Sequence, residues 1–427
     1  MCFTGLSWFK HRNKYSIMNS LDEINFLAPE TIQDPVEANS LARRHAPIYK
    51  VPQMENTYMV FSYEHICEVN SQPLLYSSKS SSPLLGKSLE NPDCIEIFNK
   101  GWPQSATLLT NDPPSHEKFR KLVNTAFTFA KVKRMESKME DITHKLIDSF
   151  IAEKNCEFIT QFAVPMPVKM IGDQLGIPEH EHFLVKEWSD AFVDLLGSMR
   201  TDEEDIANAK RVVEFQHKMK SYHDLRLETP SNDMLSDLAN AKTEDGLSLT
   251  TAELLNVSQQ LLVAGNETTS NLLSGGLLLL LQNPDQMEIV KADRSLIPNM
   301  IEEMLRLESP SNTMWRTSTE DSEINGVSIP KGATVLLRYG SANRDETVFE
   351  NPDKFDVQRK FTKKHLAFGH GIHTCIGAML SRKESAVAFN ILLDRLDNIR
   401  LDHDKNDLKR LPNLLLRGLE KLYITFD

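Results

Sequence analysis

A cluster of glycines around a single cysteine constrains this chain more than any other feature of its sequence. Residues 368–377 read Phe-Gly-His-Gly-Ile-His-Thr-Cys-Ile-Gly, and an apolar, helix-forming segment follows over residues 378–393. A cysteine just before a helix can be held as a thiolate, because the helix N-terminus contributes a positive dipole and free backbone N–H groups. Gly369, Gly371 and Gly377 allow sharp turns and the close approach of a flat group, because no Cβ intervenes. The loop therefore predicts a site in which Cys375 binds something flat.

Three other interpretations fit parts of this loop. A lone cysteine near a helix start is usually an inert buried residue. His370, His373 and Cys375 are spaced closely enough to be zinc ligands, but no fourth ligand with suitable spacing is obvious, and zinc does not explain the glycines or Phe368. A glycine-rich loop before a helix can also bind phosphate, although this one lacks the Lys-Ser/Thr ending of a P-loop.

Composition excludes several classes of protein. The 48 basic and 60 acidic residues give a formal net charge of −12, which argues against nucleic acid as a general partner. The five cysteines are scattered and odd in number, which is typical of a reducing compartment rather than of a disulfide framework. The longest apolar run, residues 277–281, is far shorter than the roughly 18–20 residues that a bilayer-spanning helix needs. We therefore expect a soluble, cytoplasmic protein.

Helical patterns dominate residues 115–310, and strand patterns are few. Strand character appears over residues 48–51, 58–61 and 322–337, and in the last segment Asn325-Gly326 is a strong signal for a two-residue hairpin turn. No internal repeat or Gly/Ser-rich linker divides the 427 residues. We expect one mainly α domain with small β-sheets over residues 18–427, preceded by an arm of residues 1–17 with the character of a disordered segment.

One helix should be much longer than the others. A capping box at Thr250–Glu253 and a stop at Asn283-Pro284 predict a helix over Thr251–Gln282, about 48 Å long at 1.5 Å per residue. Apolar residues surround most of it, as in a buried helix, but residues 264–269 form a polar insertion, Ala-Gly-Asn-Glu-Thr-Thr. A buried carboxylate such as Glu267 is costly unless it is paired, hydrated or protonated. Thr268 can donate to the carbonyl of Ala264, which bends a helix and opens a groove. A satisfied polar pocket inside a helix bundle is the alternative.

These features together resemble the cytochrome P450 family. The cysteine loop matches the family pattern Phe-Gly-x-Gly-x-His-x-Cys-x-Gly at every fixed position, the polar insertion resembles the oxygen-binding helix, and Glu303-Met304-Leu305-Arg306 resembles the Glu-x-x-Arg motif. The resemblance runs from about residue 30 to the C-terminus. It implies a single-domain P450 fold with haem b buried between the long central helix and the helix after the loop, and Cys375 as the axial ligand. It also implies that Glu267 and Thr268 deliver protons during the activation of O2.

The resemblance assigns further residues by position. Propionate donors are His116, Arg120, Arg316 and His373, and other positions against the haem are Phe368, Gly369, Gly377, Ala264 and Gly265. The structural residues that stabilise the haem-loop scaffold are Glu303, Arg306 and Arg359. The substrate pocket would include Leu261, Leu262, Thr313, Met314, Leu414 and Leu415, with Ser311, Asn312 and the loop of residues 82–110.

The implied activity is that of a monooxygenase, which inserts one oxygen atom from O2 into an organic molecule. No flavin or iron–sulfur module is visible, so electrons from NAD(P)H should arrive through ferredoxin reductase and ferredoxin. A basic cluster is interpreted as the ferredoxin dock, with ordinary solvated side chains as an equal alternative: Lys118, Lys121, Lys131, Lys133, Arg134, Arg382 and Lys383.

The pocket positions contain no charged residue except Glu267, which favours a neutral, hydrophobic substrate such as a terpenoid, a steroid or an alkyl aromatic. Peroxygenases and nitric oxide reductases on the same haem are the competing enzymes, but they generally lose or bypass the acid–alcohol pair that this chain keeps. A haem-thiolate binding or sensor protein without turnover is the competing non-enzyme. We expect a monomer.

Overall fold

The computed structural model describes residues 21–79, 91–197 and 200–427. The proposed N-terminal arm, and residues 82–90 of the predicted pocket loop, lie outside these residues. None of the helices in the described ranges has the length and apolar composition needed to cross a bilayer.

Helices form most of the fold. The α-helices are α1 Pro29–Gln33, α2 Val36–His45, α3 Tyr63–Asn70, α4 Pro92–Phe98, α5 Ser115–Asn124, α6 Phe129–Arg134, α7 Glu136–Asp148, α8 Pro165–Gln174, α9 His182–Gly197, α10 Asp202–Glu228, α11 Met234–Asn240, α12 Thr251–Gln282, α13 Pro284–Ala292, α14 Ile297–Glu308, α15 Tyr339–Ala342 and α16 Ala378–Arg395. A 3₁₀ turn, Gly371–His373, lies inside the cysteine loop.

Strands form three small sheets. They are β1 Ile48–Lys50, β2 Thr57–Val60, β3 Tyr76–Ser77, β4 Asn155–Glu157, β5 Met314–Ser318, β6 Ser322–Ile324, β7 Val327–Ile329, β8 Thr334–Leu337, β9 Arg400–Leu401 and β10 Tyr423–Thr425. The largest sheet has the order β1-β2-β8-β5-β3, with β2 and β8 parallel and the other pairs antiparallel. The others are β4-β10-β9 and the hairpin β6-β7. The mainly α fold class is confirmed.

The central helix α12 has the predicted bounds and the predicted capping box. The backbone N–H of Glu253 donates to the Thr250 hydroxyl, and the Glu253 carboxylate accepts from the Thr250 N–H at 2.8 Å. The helix packs against α8, α9, α14 and α16. At Gly276 a Cβ would lie 2.7 Å from the sulfur of Met304 and 3.1 Å from the ring of Phe389, so glycine permits this close approach of three helices.

The predicted hairpin is also present. Asn325 and Gly326 join β6 to β7 with φ angles of 48° and 77°, the left-handed values that a tight two-residue turn requires. The hairpin and the five-stranded sheet lie beside α3 and α15, and their apolar residues form a cluster separate from the larger helical core. The segment after α14 enters this sheet as β5, which pairs with β8 and β3.

Candidate haem site and oxygen-activation groove

The loop of residues 368–377, called the Cys loop below, has a backbone shape that depends on glycine. Gly369 and Gly371 have φ angles of 72° and 74°, in the left-handed region that side chains disfavour. A Cβ on Gly371 would lie 2.5 Å from the backbone oxygen of Asn70. The Cys375 N–H donates to the Phe368 carbonyl at 2.8 Å, which closes the loop. The cysteine is therefore held at a fixed position just before α16.

Cys375 presents accessible surface although it lies within the protein. Its side chain is exposed, while the adjacent Ile376 packs against the same apolar cluster as Leu261 of α12. Ala264, in the middle of the otherwise buried α12, is exposed as well. The exposed faces of the Cys loop and of α12 therefore border interior space and can contact a group other than protein.

The thiol of Cys375 is influenced by opposing effects. Burial raises the pKa of this thiol above its ordinary value and outweighs the N–H groups of Gly377 and Ala378 and the positive charges of Arg120 and Arg382, which lower it. Backbone N–H groups at a helix start and nearby cations are what a thiolate ligand needs. Binding of a metal cation to the sulfur would lower the pKa of Cys375 and favour the thiolate.

A hydrogen-bonded network of Glu302 on α14, Arg382 on α16 and His365 contacts the first residue of the Cys loop. The Arg382 guanidinium lies 4.4 Å from the ring centre of Phe368, and it donates to both carboxylate oxygens of Glu302. His365 lies 3.2 Å from the same carboxylate. Burial raises the pKa of Glu302, but the hydrogen bonds from Arg382 and His365 outweigh it and hold the pKa at about 2. Glu302 and Arg382, whose contact the sequence did not suggest, fix the ring that begins the loop.

Three of the four predicted propionate donors meet around one end of the Cys loop. The rings of His116 and His373 are 4.4 Å apart, and Arg120 donates to the Thr374 carbonyl at 3.0 Å. Burial and the charges of Arg316, His116 and Arg120 lower the pKa of His373 to about 3, so it is a neutral imidazole at neutral pH.

The fourth donor, Arg316, reaches the same region from β5. It donates to the Asn70 side chain at 3.0 Å, and Asn70 in turn donates to the Tyr339 hydroxyl at 3.2 Å. Nε2 of the buried His116 has no hydrogen-bond partner among the described residues. Two arginines and two histidines converge with an unsatisfied nitrogen, and carboxylate groups are the partners that such a set favours.

The donor set and the thiolate site fit a haem. Cys375 would be the iron ligand, and Arg120, Arg316, His373 and His116 would bind the two propionates. A haem held by a cysteine thiolate supplies an iron that activates O2, with the thiolate favouring cleavage of the O–O bond.

The polar insertion of α12 provides an acid and an alcohol beside the exposed Ala264. The Thr268 hydroxyl donates to the Ala264 carbonyl at 2.6 Å, as predicted. Glu267 is half-buried and forms an ion pair with Lys186 of α9 at 3.2 Å. Burial opposes the charge of Lys186, but Glu267 and Asp190 outweigh it and raise its pKa. The predicted cost of a buried carboxylate is therefore reduced by a lysine that sequence reasoning missed.

The remaining predicted positions differ in what they contact. Gly265 faces α8, because a Cβ there would lie 3.6 Å from Ile171. Leu262 and Thr313 are both fully buried, so no exposed surface supports either as a lining residue. Of the other predicted lining residues, Leu261 is buried, and Met314, Leu414 and Leu415 are half-buried. The N–H groups of Asn312 and Thr313 both donate to the Leu415 carbonyl, at 2.8 and 3.1 Å, so these two segments are adjacent.

The three predicted structural residues form a buried ionic cluster. Both side-chain oxygens of Glu303 accept from Arg306, at 2.7 and 2.8 Å, and one also accepts from Arg359 at 2.9 Å. Glu303 and Arg306 have no exposed surface. The cluster ties α14 to the segment that precedes the Cys loop.

Zinc has no support in the described residues. They contain no group of three or more His, Cys, Asp or Glu side chains close enough to hold a metal ion. His370, His373 and Cys375 are thus not arranged as ligands of one ion.

Comparison with known proteins agrees with this geometry. The family model described as Cytochrome P450 matches residues 168–426. The chain is 32% identical over 420 residues to the cytochrome P450 monooxygenase PikC of Streptomyces venezuelae, which covers 94% of this chain and 93% of PikC. It is 33% identical over 365 residues to the steroid C26-monooxygenase of Mycobacterium tuberculosis, covering 86% of this chain and 93% of that protein.

Solved structures share the fold along almost the whole chain. The crystal structure of CYP109E1 from Bacillus megaterium in complex with corticosterone superposes with a TM-score of 0.81 at 31% identity, covering 93% of this chain and 99% of that one. The family match, the relatives and the fold agree with one another. The chain belongs to the cytochrome P450 family of haem b monooxygenases, oxidoreductases that use O2 and receive electrons from redox partners.

Proposed function

We propose that this protein inserts one oxygen atom from O2 into a hydrophobic organic substrate, as in hydroxylation, with electrons from an external ferredoxin. The observation that carries the proposal is the acid–alcohol pair Glu267 and Thr268 on α12, beside the exposed Ala264. Glu267 would supply protons and the Thr268 hydroxyl would direct them, which is the assistance that O2 activation needs and peroxide use does not. One relative is named a steroid C26-monooxygenase, and the similar CYP109E1 was crystallised with corticosterone. Both support a hydrophobic substrate, such as a terpenoid, a steroid or an alkyl aromatic.

Cys375 as the iron ligand is tested spectroscopically. The reduced protein with carbon monoxide should show the red-shifted Soret band of a thiolate-bound haem, and Cys375→His should abolish it. Cys67→Ser is the matched control, because Cys67 is half-buried on α3 and is not in the Cys loop. A purified protein that binds no haem, or a Cys375→His variant that keeps the band, would contradict the assignment.

Turnover separates the competing functions. The wild type should convert substrate with ferredoxin, ferredoxin reductase and NADPH faster than with hydrogen peroxide alone. Faster turnover with peroxide would indicate a peroxygenase, and ligand binding without product from either system would indicate a sensor or binding protein. The monomeric state and the cytoplasmic location stay predictions.

The structure pairs four of the seven basic residues of the predicted ferredoxin dock with acids. These pairs are Lys118–Glu253, Lys131–Asp237, Arg382–Glu302 and Lys383–Glu136. Lys121, Lys133 and Arg134 are exposed and form no ion pair with a described residue. We propose that these three, on α5 and α6, attract an acidic ferredoxin.

Charge reversal tests this reduced dock. Lys133→Glu should slow reduction by ferredoxin severalfold at about 0.02 M salt and much less at about 0.3 M, because the screening length shortens severalfold over that range. Lys421→Glu is the control, since Lys421 is exposed near β10 and also forms no ion pair with a described residue. Equal slowing by both variants, or salt-independent reduction, would reject the dock.

A further inference from the structure

The guanidinium of Arg338 is buried without a countercharge. Arg338 directly follows β8 and is 1% exposed. Its Nη1 donates to the Thr313 hydroxyl at 3.1 Å, and its Nε has no hydrogen-bond partner among the described residues. An arginine offers five N–H donors in a planar fork. The edge of the guanidinium formed by Nε and Nη2 therefore has donors that no acceptor among the described residues satisfies.

Two other arginines of the interior have acidic partners. The fully buried Arg306 is paired with Glu303, and the half-buried Arg410 donates to both carboxylate oxygens of Glu308, at 2.7 and 3.1 Å. In the described ranges no acidic group lies within ion-pair distance of Arg338. Burial lowers the pKa of Arg338 to about 10, so it still carries its charge at neutral pH. An unpaired buried cation is strongly unfavourable, which indicates that an anion from outside the described protein completes the site.

The position of Arg338 connects it to the predicted substrate pocket. The hydroxyl of Thr313 accepts from Nη1, and the N–H of Thr313 donates to the Leu415 carbonyl at 3.1 Å. Leu414, the neighbour of Leu415, packs on the same apolar cluster as Leu336 of β8. Side chains two positions apart along a strand point to the same face of a sheet, so Arg338 points to the same side as Leu336 and the half-buried Leu414.

We propose that Arg338 binds the carboxylate of an otherwise apolar substrate through its Nε–Nη2 edge, while Thr313 holds the opposite edge. This inference rests on the proposed function, since it names the substrate class of the same site. A planar carboxylate matches the two parallel N–H groups of that edge, and such charge-assisted, bidentate pairs are stronger than neutral hydrogen bonds. The proposed substrate keeps the hydrophobic body that the pocket residues predict, but it carries a carboxylate where the sequence predicted a neutral group.

Two probes of equal chain length test the head group. Binding of dodecanoate and of 1-dodecanol to the haem-loaded enzyme is measured by the spin-state shift of the Soret band and by calorimetry. The wild type should bind dodecanoate at least tenfold more tightly. Arg338→Met should remove that preference with little effect on 1-dodecanol, and Arg338→Lys should keep part of it, because an ammonium retains charge but lacks the fork. Arg44→Met is the control, since Arg44 is exposed on α2 and forms no ion pair with a described residue.

The outcomes separate this inference from the proposed function. Equal affinity of the wild type for the acid and the alcohol would overturn the role of Arg338, even if neutral substrates are oxidised with ferredoxin. An Arg338→Met variant that loses haem, or that weakens both probes alike, would also overturn it and assign Arg338 to cofactor binding or stability. Calorimetric preference for dodecanoate without any turnover would support Arg338 and instead contradict the monooxygenase proposal.

Discussion

Replacing Glu303 by glutamine should lower the free energy of unfolding by about 3–5 kcal/mol, the cost of breaking a buried ion pair. Glu303 accepts from Arg306 at 2.7 and 2.8 Å, from Arg359 at 2.9 Å and from the Asp356 N–H at 3.2 Å. Glutamine keeps the shape but loses the charge and replaces one accepting oxygen by a donor. Arg306 has no exposed surface, and its other hydrogen bonds reach only backbone carbonyls, of Asn343, Pro352 and Lys354. The guanidinium would be left buried and uncompensated.

The matched control is Glu288→Gln on α13. Glu288 also pairs with a basic residue three positions on, Lys291 at 3.1 Å, but its side chain is 71% exposed. That change should cost about 0–1 kcal/mol, as for other surface pairs. The assay is urea unfolding of the haem-loaded protein, followed by far-ultraviolet circular dichroism and by the Soret band. If the losses of unfolding free energy in the two variants differ by less than about 1 kcal/mol, burial does not set the strength of the Glu303 cluster. The structural role assigned to Glu303 would then be wrong.

Three further outcomes test the groove and the loop. Thr268→Val should lower product per NADPH consumed, with peroxide released instead, because the hydroxyl that directs protons is lost; unchanged coupling would exclude that role. Lys186→Met should release the Glu267 carboxylate and reduce the solvent isotope effect on turnover, with a rate change of at most about fivefold, since a partly exposed pair is worth about 0–1 kcal/mol; a larger isotope effect would contradict this. Because the folded-state pKa of Glu302 is about 2, below its ordinary 4.5, its stabilising contribution is complete above about pH 4.5 and is lost as the pH falls towards 2. The stability difference between the wild type and Glu302→Gln should shrink across that window, and a constant difference would refute the assignment.

Features encoded by neighbouring residues were predictable from the sequence. The bounds of α12 follow from its capping box at Thr250 and from Pro284, and the β6-β7 turn follows from Asn325-Gly326, because each signal acts within a few residues. The hydrogen bond from Thr268 to Ala264 spans one helical turn and was equally accessible. The convergence of the propionate donors came from family resemblance, since His116 and Arg316 are 200 positions apart in the chain and no local rule brings them together.

Charge neutralisation was not predictable, because its partners are distant in sequence. Lys118 reads as a solvated lysine on α5, yet Glu253 at the start of α12 neutralises it at 2.8 Å. The pairing of Lys186 with Glu267 likewise depends on the packing of α9 against α12, which brings the two side chains to 3.2 Å. Only tertiary packing shows which basic residues keep a free charge. For this reason only three of the seven residues predicted for the dock keep a charge that is not paired with a described residue.

The burial of Arg338 follows from the residues that precede it. Residues 334–337, Thr-Val-Leu-Leu, show no alternation of polar and apolar side chains, and β8 lies between β2 and β5 in the centre of its sheet. A strand without alternation is buried on both faces, so a charged residue that continues it has no solvent face to occupy. Such a charge needs an internal partner. Arg338 has none among the described residues, and the same logic that requires a partner for Glu267 therefore requires an anion here, which the pocket can obtain from its substrate.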